Sequence, residues 1–166
     1  MNQLSQLLWS AQGIKENIGS KRAAPSAGAL YPMDVYAVVG RSGVEQIEAS
    51  VYHYEPDGHM LTLLEKKDVG DRVAKASLSQ MRRAHAPLNI VITAEYNRIT
   101  VKYRERGTRF AMIEAGYIFQ NLFLQAETLR LKASIVGAFR DNELIEILKI
   151  PRSHEPLLIM PIGYAT

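Results

Sequence analysis

The sequence predicts an α+β fold, and three features of the chain support this fold class. Two strand-like segments, Val51–Tyr54 and Met60–Leu64, flank the turn sequence Pro56-Asp57-Gly58 and indicate a hairpin. The continuous apolar run Leu88–Ala94 is typical of a buried strand. A helical pattern of apolar residues covers Arg109–Leu131, and the chain has no repeated βαβ unit. These features predict a sheet with helices packed on it.

The remaining elements of the first half follow from their local patterns. A short helix opens the chain, with Ser5 as its N-cap and Gly13 as its stop. The run Val35–Val39 predicts a strand that ends at Gly40. Apolar residues at helical spacing predict a further helix over Val69–Arg83.

The second half of the chain ends with a strand, a helix and another strand. Ala133–Ala138 predicts a strand, Asp141 caps a helix that runs to Leu148, and Leu157–Ile162 closes the sheet. No linker, internal repeat or low-complexity tract interrupts the 166 residues. We therefore predict that residues 1–166 form one domain.

The long helix predicted over Arg109–Leu131 is apolar nearly all the way round. Between Phe110 and Leu124 its apolar side chains leave little polar surface. A helix of this kind must be covered on most of its sides, which one small sheet does not achieve. We therefore predict that this helix is buried at the interface of a homodimer.

Composition narrows the class of protein. Hydrophobic residues make up 47% and charged residues 22% of the chain, as in ordinary globular proteins. The absence of cysteine excludes a disulfide, a thiolate nucleophile and a cysteine-ligated metal, and the four histidines lack metal-site spacing. No metal site is predicted. The sequence shows no signal peptide or membrane-spanning run, which predicts a cytoplasmic protein without a membrane partner.

The densest group of cations lies between Arg98 and Arg109 and has aromatic residues among it. Cations interleaved with aromatics occur on nucleic-acid-binding surfaces, but no nucleic-acid motif accompanies them here. The net charge of +3 is also small. We predict no nucleic-acid partner and interpret the cluster as a solvated face or a contact to a ligand phosphate or a second subunit.

The segment Lys21–Gly40 is the strongest indication of a binding site. It contains Pro25, Ser26, Ala27 and Gly28, whose small side chains let the backbone approach a flat or anionic ligand. The same composition also suits a tight connection between a helix and a strand. Both interpretations remain open from this segment alone.

The sequence PSAGALYP, followed by an apolar strand, resembles the flavin-binding nitroreductase family. It is most similar to the azoline-oxidising, thiazole- and oxazole-forming dehydrogenase branch of that family. Further similar stretches follow in the same order: Gly43–Leu64, Lys102–Leu131, Ile135–Phe139 and the terminal sequence LLIMPIGY. The resemblance covers the chain from Leu4 to Gly163. It implies a nitroreductase-like fold, with a mostly antiparallel central sheet and FMN bound at a homodimer interface.

The resemblance also implies which residues contact the flavin. Pro25, Ser26, Ala27 and Gly28 match the segment that lies against the flavin ring and ribityl chain. Gly137 and Ala138, after Val136, match the segment whose backbone N–H groups reach N5 and O4. Arg22 is the nearest cation for the phosphate or O2. Gly137 is alternatively a glycine required only by a strand-to-helix turn.

Lys102 and Tyr103 match the lysine–tyrosine pair that the azoline-oxidising branch uses beside its substrate. The resemblance implies that they are catalytic and remove a proton from the substrate ring. A lysine serves as a base where burial or a neighbouring cation favours its neutral form. The alternative is that both residues lie on a solvated helix start, as charge-rich segments usually do.

The sequence departs from the family pattern in two places. It lacks the R-x-S-x-R type motif before the first helix and the basic segment after the last strand, which hold the flavin phosphate. We expect Arg22, Lys21 or Arg109, from either subunit, to replace these anchors.

Two functions therefore remain open. The first is an FMN-dependent oxidoreductase that transfers hydride between NADH or NADPH and a small or peptide-derived molecule. FMN is expected in place of FAD because the sequence has no dinucleotide-binding fingerprint. The alternative is a noncatalytic dimeric relative, with or without flavin, that has lost the phosphate anchors.

Overall fold

The computed structural model describes residues 2–15, 21–41, 43–78 and 86–164. Within these residues, six strands form one sheet in the order β3-β2-β1-β4-β6-β5, and all of the pairings are antiparallel. The strands are β1 (Met33–Val39), β2 (Ser50–Glu55), β3 (Met60–Glu65), β4 (Leu88–Ala94), β5 (Lys132–Ala133) and β6 (Glu155–Gly163). The predicted α+β class and the antiparallel sheet are confirmed.

Five α-helices and one 3-10 turn accompany the sheet in the described part of the chain. The helices are α1 (Asn2–Gln12), α2 (Gly70–Ala76), α3 (Asn97–Tyr103), α4 (Arg106–Thr128) and α5 (Asp141–Leu148), and the 3-10 turn is Ala27–Ala29. None of the described helices is long and apolar enough to cross a membrane.

Helices cover both faces of the sheet, which makes two apolar cores. On one face α1 and α4 pack against the sheet, with Leu7 and Ile118 among the fully buried residues. On the other face α2 and α5 pack around residues such as Val91 and Leu144. Every residue of β1 and β4 is buried, because these central strands are covered on both sides. This explains why they read as continuous apolar runs rather than alternating ones.

The strand predicted over Ala133–Ala138 keeps its register but is interrupted. Only Lys132–Ala133 forms β5, and Val136 then pairs with Ile159 through two backbone hydrogen bonds of 2.8 and 3.0 Å. Between them, the Ser134 N–H donates to the Pro161 carbonyl at 3.1 Å. Pro161 has no N–H to return that bond, so the ladder is broken at this point.

Several predicted helix limits shift. The first helix begins at Asn2, so Ser5 is an interior residue rather than the N-cap, and its hydroxyl pairs with His59 Nε2 at 2.7 Å. Residues 79–83 of the predicted second helix lie outside the described residues. The long helix begins at Arg106, and a separate helix, α3, precedes it.

Helix α4 is buried along one side only within a single chain. Glu114, Ile118 and Leu122 are among the residues that it buries against the sheet. Its other side exposes a row of large apolar side chains: Met112, Ile113, Tyr117 and Leu124, each 43–61% exposed. The expected excess of apolar surface on this helix is therefore present, and the second subunit that would cover it remains a prediction.

Candidate functional site

The loop between Arg22 and Pro32 has an unusual backbone. Positive φ angles occur at Gly28 (64°), Ala29 (54°) and Tyr31 (46°). Glycine adopts such angles at little cost, but alanine and tyrosine do not, and Tyr31 also precedes a proline. Backbone strain of this kind persists only where the surrounding structure enforces it, and it concentrates at functional sites.

The strained loop is held by contacts on both of its sides. The Tyr31 N–H donates to Ser26 Oγ at 2.9 Å, and the Ala29 N–H donates to the Ser26 carbonyl at 3.1 Å. The Arg22 N–H donates to the Tyr31 hydroxyl at 3.1 Å, and the Arg22 guanidinium lies 4.3 Å from the centre of the Tyr31 ring. The loop is thus a closed unit with a fixed shape.

Lys102 and Tyr103 lie against the apex of this loop. A β-carbon on Gly28 would lie 2.8 Å from the Tyr103 hydroxyl and 3.0 Å from Lys102 Nζ. The Tyr103 ring is half-buried edge-on against Phe110, with ring centres 5.1 Å apart, whereas Lys102 is exposed. Two segments that the family resemblance selected, far apart in the sequence, therefore meet. Lys102 and Tyr103 lie at the C-terminal end of α3, not at a helix start.

A partly buried ion cluster lies at the other end of α3. Arg98, near the start of that helix, places Nη1 2.8 Å from Asp34 Oδ2 and Nε 2.5 Å from Glu95 Oε2. His53 Nε2 lies 3.0 Å from Asp34 Oδ1. Burial by itself raises the pKa of Asp34, but the hydrogen bond from His53 and the charge of Arg98 outweigh it and lower that pKa.

His154 completes this cluster between the two carboxylates. Its Nδ1 lies 3.6 Å from Asp34 Oδ2 and its Nε2 lies 3.6 Å from Glu95 Oε2. One ligand atom from each of these three residues falls within 4.8 Å of the others, a spacing that a metal could use. Arg98 already contacts both carboxylates with its guanidinium. No local pattern predicts this arrangement, because its members lie in β1, β2 and α3 and in the residues just after β4 and just before β6.

A second buried polar cluster lies behind the loop. Gln12 Nε2 donates to Glu114 Oε1 at 3.2 Å, and Arg22 Nη1 donates to Gln12 Oε1 at 3.1 Å. Burial lowers the pKa of Arg22, and it raises the pKa of Glu114 to about 6. Arg22 Nε and Glu114 Oε2 are buried without hydrogen-bond partners among the described residues. The sequence analysis selected Arg22 but neither Gln12 nor Glu114.

The second predicted flavin segment lies elsewhere in the same chain. Val136 is buried beside Ile159 of β6, and Gly137 is exposed with Leu158 next to it. Val136 occupies the position of a strand beyond β6, three strands from β1, which is about 14 Å at the usual strand spacing. Arg109 is exposed in the first turn of α4. The structure therefore brings Lys102 and Tyr103 to the loop but places Val136–Ala138 apart from it.

A cavity of about 280 Å³ lies at the opposite end of the sheet from this loop. Leu7, Leu88 and Ile162 contribute to its lining. Leu88 is at the start of β4 and pairs with Val39, whereas the loop leads into Met33 at the other end of β1. The strained loop and its lysine–tyrosine pair, rather than this cavity, therefore form the candidate site.

Comparison with known proteins assigns this chain to a family. The sequence model described as the nitroreductase family matches residues 1–164. The chain belongs to the nitroreductase family. It is 42% identical over 163 residues to a Methanocaldococcus jannaschii protein named as a nitroreductase. The matched region covers 98% of this chain and 80% of that protein.

Relatives in this nitroreductase family include two processing proteins. The microcin B17-processing protein McbC of Escherichia coli is 27% identical over 164 residues, covering 96% of this chain and 60% of McbC. The trifolitoxin-processing protein TfxB of Rhizobium leguminosarum is 31% identical over 118 residues, covering 69% of this chain and 31% of TfxB. The resemblance to the nitroreductase family and its azoline-oxidising branch is confirmed.

Solved structures give the same fold. A nitroreductase-type protein from Anabaena variabilis has a TM-score of 0.88 at 27% identity, covering 98% of this chain and 34% of that chain. A chain of the E. coli microcin synthetase McbBCD complex also has a TM-score of 0.88, at 24% identity, over 99% of this chain and 64% of that one. Nitroreductase family members generally bind flavin with NAD(P)H as reductant, and family membership supports an oxidoreductase.

Proposed function

We propose that this nitroreductase-family chain is an FMN-dependent oxidoreductase that transfers hydride between NADH or NADPH and a small or peptide-derived molecule. The observation that carries the proposal is the approach of Lys102 Nζ and the Tyr103 hydroxyl to Gly28. This approach supports the proposal because a lysine and a tyrosine, both able to exchange protons, lie beside a backbone loop of small residues. The relatives McbC and TfxB, named as processing proteins, favour a peptide-derived substrate.

The residues present fit a bound flavin at this loop. Gly28 has no side chain over the exposed apex, and Arg22 Nε is a buried donor without a partner among the described residues. Arg109 is an exposed cation that would hold the phosphate. FMN bound here would supply the hydride chemistry, and the protein would supply binding, orientation and proton transfer.

Lys102 and Tyr103 would carry the proton transfer at the substrate. Lys102 is exposed and therefore accessible to a substrate that lies over the loop. Tyr103 is fixed by its contact with Phe110, and its ring centre lies 5.4 Å from Lys102 Nζ. We propose that Lys102 exchanges the proton with the substrate and that Tyr103 orients it by hydrogen bonding.

We further propose that the site is completed in a homodimer. Val136–Ala138 lies about 14 Å from β1 within one chain, so this segment reaches a flavin on the loop more readily from a second copy. The exposed apolar row on α4 supports such a partner, because large exposed apolar patches mark association surfaces.

A noncatalytic relative is the alternative, and the position of Arg22 favours it. Its guanidinium is committed to the Tyr31 ring and to Gln12, so it is not directed outward as a phosphate anchor. Weak phosphate binding would lower the affinity for FMN, since each charge-assisted bond contributes about 1.5–3 kcal/mol.

Reconstitution with FMN separates the two functions. FMN in excess should raise the melting temperature of the full chain and give a yellow complex after desalting. Anaerobic mixing of that complex with NADH or NADPH should bleach the flavin absorbance. Lys102→Ala should retain FMN and bleaching by NAD(P)H but lose about a hundredfold or more in turnover of an azoline peptide. A protein that binds no FMN, or that binds FMN without being reduced, would support the noncatalytic relative.

A further inference from the structure

Glu114 is a buried acid directly behind the loop, and the hydride chemistry proposed above gives it no role. Its side chain projects from the buried side of α4, and the residue is only 1% exposed. Oε1 accepts the hydrogen bond from Gln12, while Oε2 is buried without a hydrogen-bond partner among the described residues. A buried carboxyl oxygen without a partner is costly when it carries charge, so such a group needs a reason to be present.

The carboxyl of Glu114 is connected to both sides of the loop. Gln12 links it to Arg22, which lies at the start of the loop. The Ser26 hydroxyl faces the carboxyl from within the loop, and the same hydroxyl accepts the hydrogen bond from the Tyr31 N–H at 2.9 Å. Glu114 is therefore linked to the loop through both Ser26 and Arg22.

The charge balance around Glu114 is close. The groups that act on it are Arg22 and Ser26 from the loop and Gln12 from α1. Burial raises the pKa of Glu114 to about 6, and these three groups oppose that effect. Arg22 supplies the positive charge among them. An anionic ligand at the loop would add negative charge to this balance.

We propose that Glu114 takes up a proton when an anionic flavin occupies the Pro25–Gly28 loop. The inference rests on the proposed function, because it requires FMN at this loop. The negative charge of the ligand acts in this direction, because it opposes a second negative charge on the buried carboxyl behind the loop. The acid then stays neutral behind the bound anion, which avoids repulsion between two negative groups.

Calorimetry of FMN binding tests this proton uptake. FMN is titrated into the full chain at pH 7 in two buffers with different ionisation enthalpies, which gives the number of protons bound per FMN. If the pKa of Glu114 rises by one unit from about 6, wild type takes up about 0.4 proton per FMN more than Glu114→Gln. The FMN phosphate titrates in both proteins, so the difference isolates Glu114. Glu127→Gln, an exposed change on the same helix, should match wild type.

The outcomes distinguish this inference from the proposed function. Equal proton uptake by wild type and Glu114→Gln, with FMN bound by both, overturns the inference and leaves the FMN site in place. Failure of wild type to bind FMN overturns both.

Ser26→Ala replaces Glu114→Gln if circular dichroism shows that the glutamine variant does not fold. Removing the hydroxyl that lowers the pKa of Glu114 should move the midpoint of proton uptake to higher pH. An unchanged midpoint in Ser26→Ala overturns the inference.

Discussion

Gly28 and Tyr103 approach so closely that a β-carbon on residue 28 would lie 2.8 Å from the tyrosine hydroxyl. These residues are 75 positions apart in the chain, and they join the two segments that resemble the family's flavin-binding and substrate-binding motifs. The loop glycine therefore has two reasons to be glycine. Its φ of 64° disfavours a side chain, and the hydroxyl of Tyr103 occupies the space that a methyl group would enter.

Gly28→Ala should lower the stability of the FMN-free protein and also weaken the site. We expect a loss of about 1 kcal/mol from the positive φ, and a displaced Tyr103 should reduce the FMN affinity further. Melting of the FMN-free protein and FMN titration of the same variant measure the two effects separately. Gly137→Ala is the comparison, because a β-carbon there meets only Leu158 Cδ2, at 3.3 Å. Gly137→Ala should change the free energy of unfolding by less than about 0.5 kcal/mol. If Gly137→Ala destabilised the protein more than Gly28→Ala, the assigned importance of Gly28 would be contradicted.

Arg98→Ala should destabilise the protein because it leaves Asp34 buried without its cation. Asp34 is 10% exposed and Arg98 is 37% exposed, so we expect a partly screened loss of about 2 kcal/mol. Urea denaturation at pH 7 gives the free energy of unfolding. Lys132→Ala removes an ion pair to Glu127 in which both side chains are more than 60% exposed, and it should change stability by less than about 0.5 kcal/mol. Similar losses in the two variants would show that burial does not control the contribution of Asp34.

Stability should fall as the pH rises from about 4.5 to about 6 because of Glu114. Its folded pKa of about 6 lies above its ordinary value of 4.5, so the native state binds the proton more tightly than the unfolded state. The protonation of Glu114 stabilises the fold fully below about pH 4.5, and this stabilisation is lost as the pH rises through about 6. The free energy of unfolding should fall by about 2 kcal/mol over this range.

Urea denaturation of wild type and Glu114→Gln at pH 4.5 and pH 7 checks this dependence. The fall in the free energy of unfolding between pH 4.5 and pH 7 that Glu114 causes in wild type should be absent from Glu114→Gln. It should be present in Glu127→Gln. Asp34 acts with the opposite sign, because its lowered pKa gives stability that is lost as the pH falls below about 4. Identical pH profiles in wild type and Glu114→Gln would show that the carboxyl is not perturbed.

Ile113→Arg should convert the proposed dimer into a monomer. Ile113 is 43% exposed and lies in the apolar row of α4, so an arginine there would bury an unpaired charge in the interface. Light scattering after size-exclusion chromatography should give about twice 18.6 kDa for wild type and 18.6 kDa for the variant. Leu63→Arg, on the edge strand β3, is 47% exposed and should leave the mass unchanged. A wild-type monomer at micromolar concentration would contradict the dimer.

The elements with local signals could be predicted from the amino-acid pattern alone. The hairpin around Pro56-Asp57-Gly58 and the strand Leu88–Ala94 could be predicted because turn chemistry and continuous apolar runs act over a few residues. The choice of the loop and of Lys102–Tyr103 also came from short motifs. The limits of a strand could not be predicted where the neighbouring strand decides them. Pro161 is an example, because its missing N–H interrupts the pairing of the strand beside it.

The break between α3 and α4 was decided by tertiary packing. Arg104 takes a φ of 51°, and a β-carbon on Gly107 would lie 2.9 Å from the Thr100 Cα, so the two helices turn tightly against each other. The sequence pattern of cations and aromatics over this stretch did not reveal that turn. The turn places Lys102 and Tyr103 at the end of a helix, where they reach the loop.

The polar clusters were likewise decided only by the sheet and its register. Asp34, Glu95, Arg98 and His154 meet because the end of β4 lies between the starts of β1 and β6, with α3 following directly. Gln12 and Glu114 meet because α1 and α4 pack on the same face of the sheet. Contacts between residues this far apart in sequence leave no local signal, since each side chain is an ordinary polar residue in its own element. Burial, which only the tertiary structure decides, strengthens the polar contacts of Asp34, His154, Gln12 and Glu114.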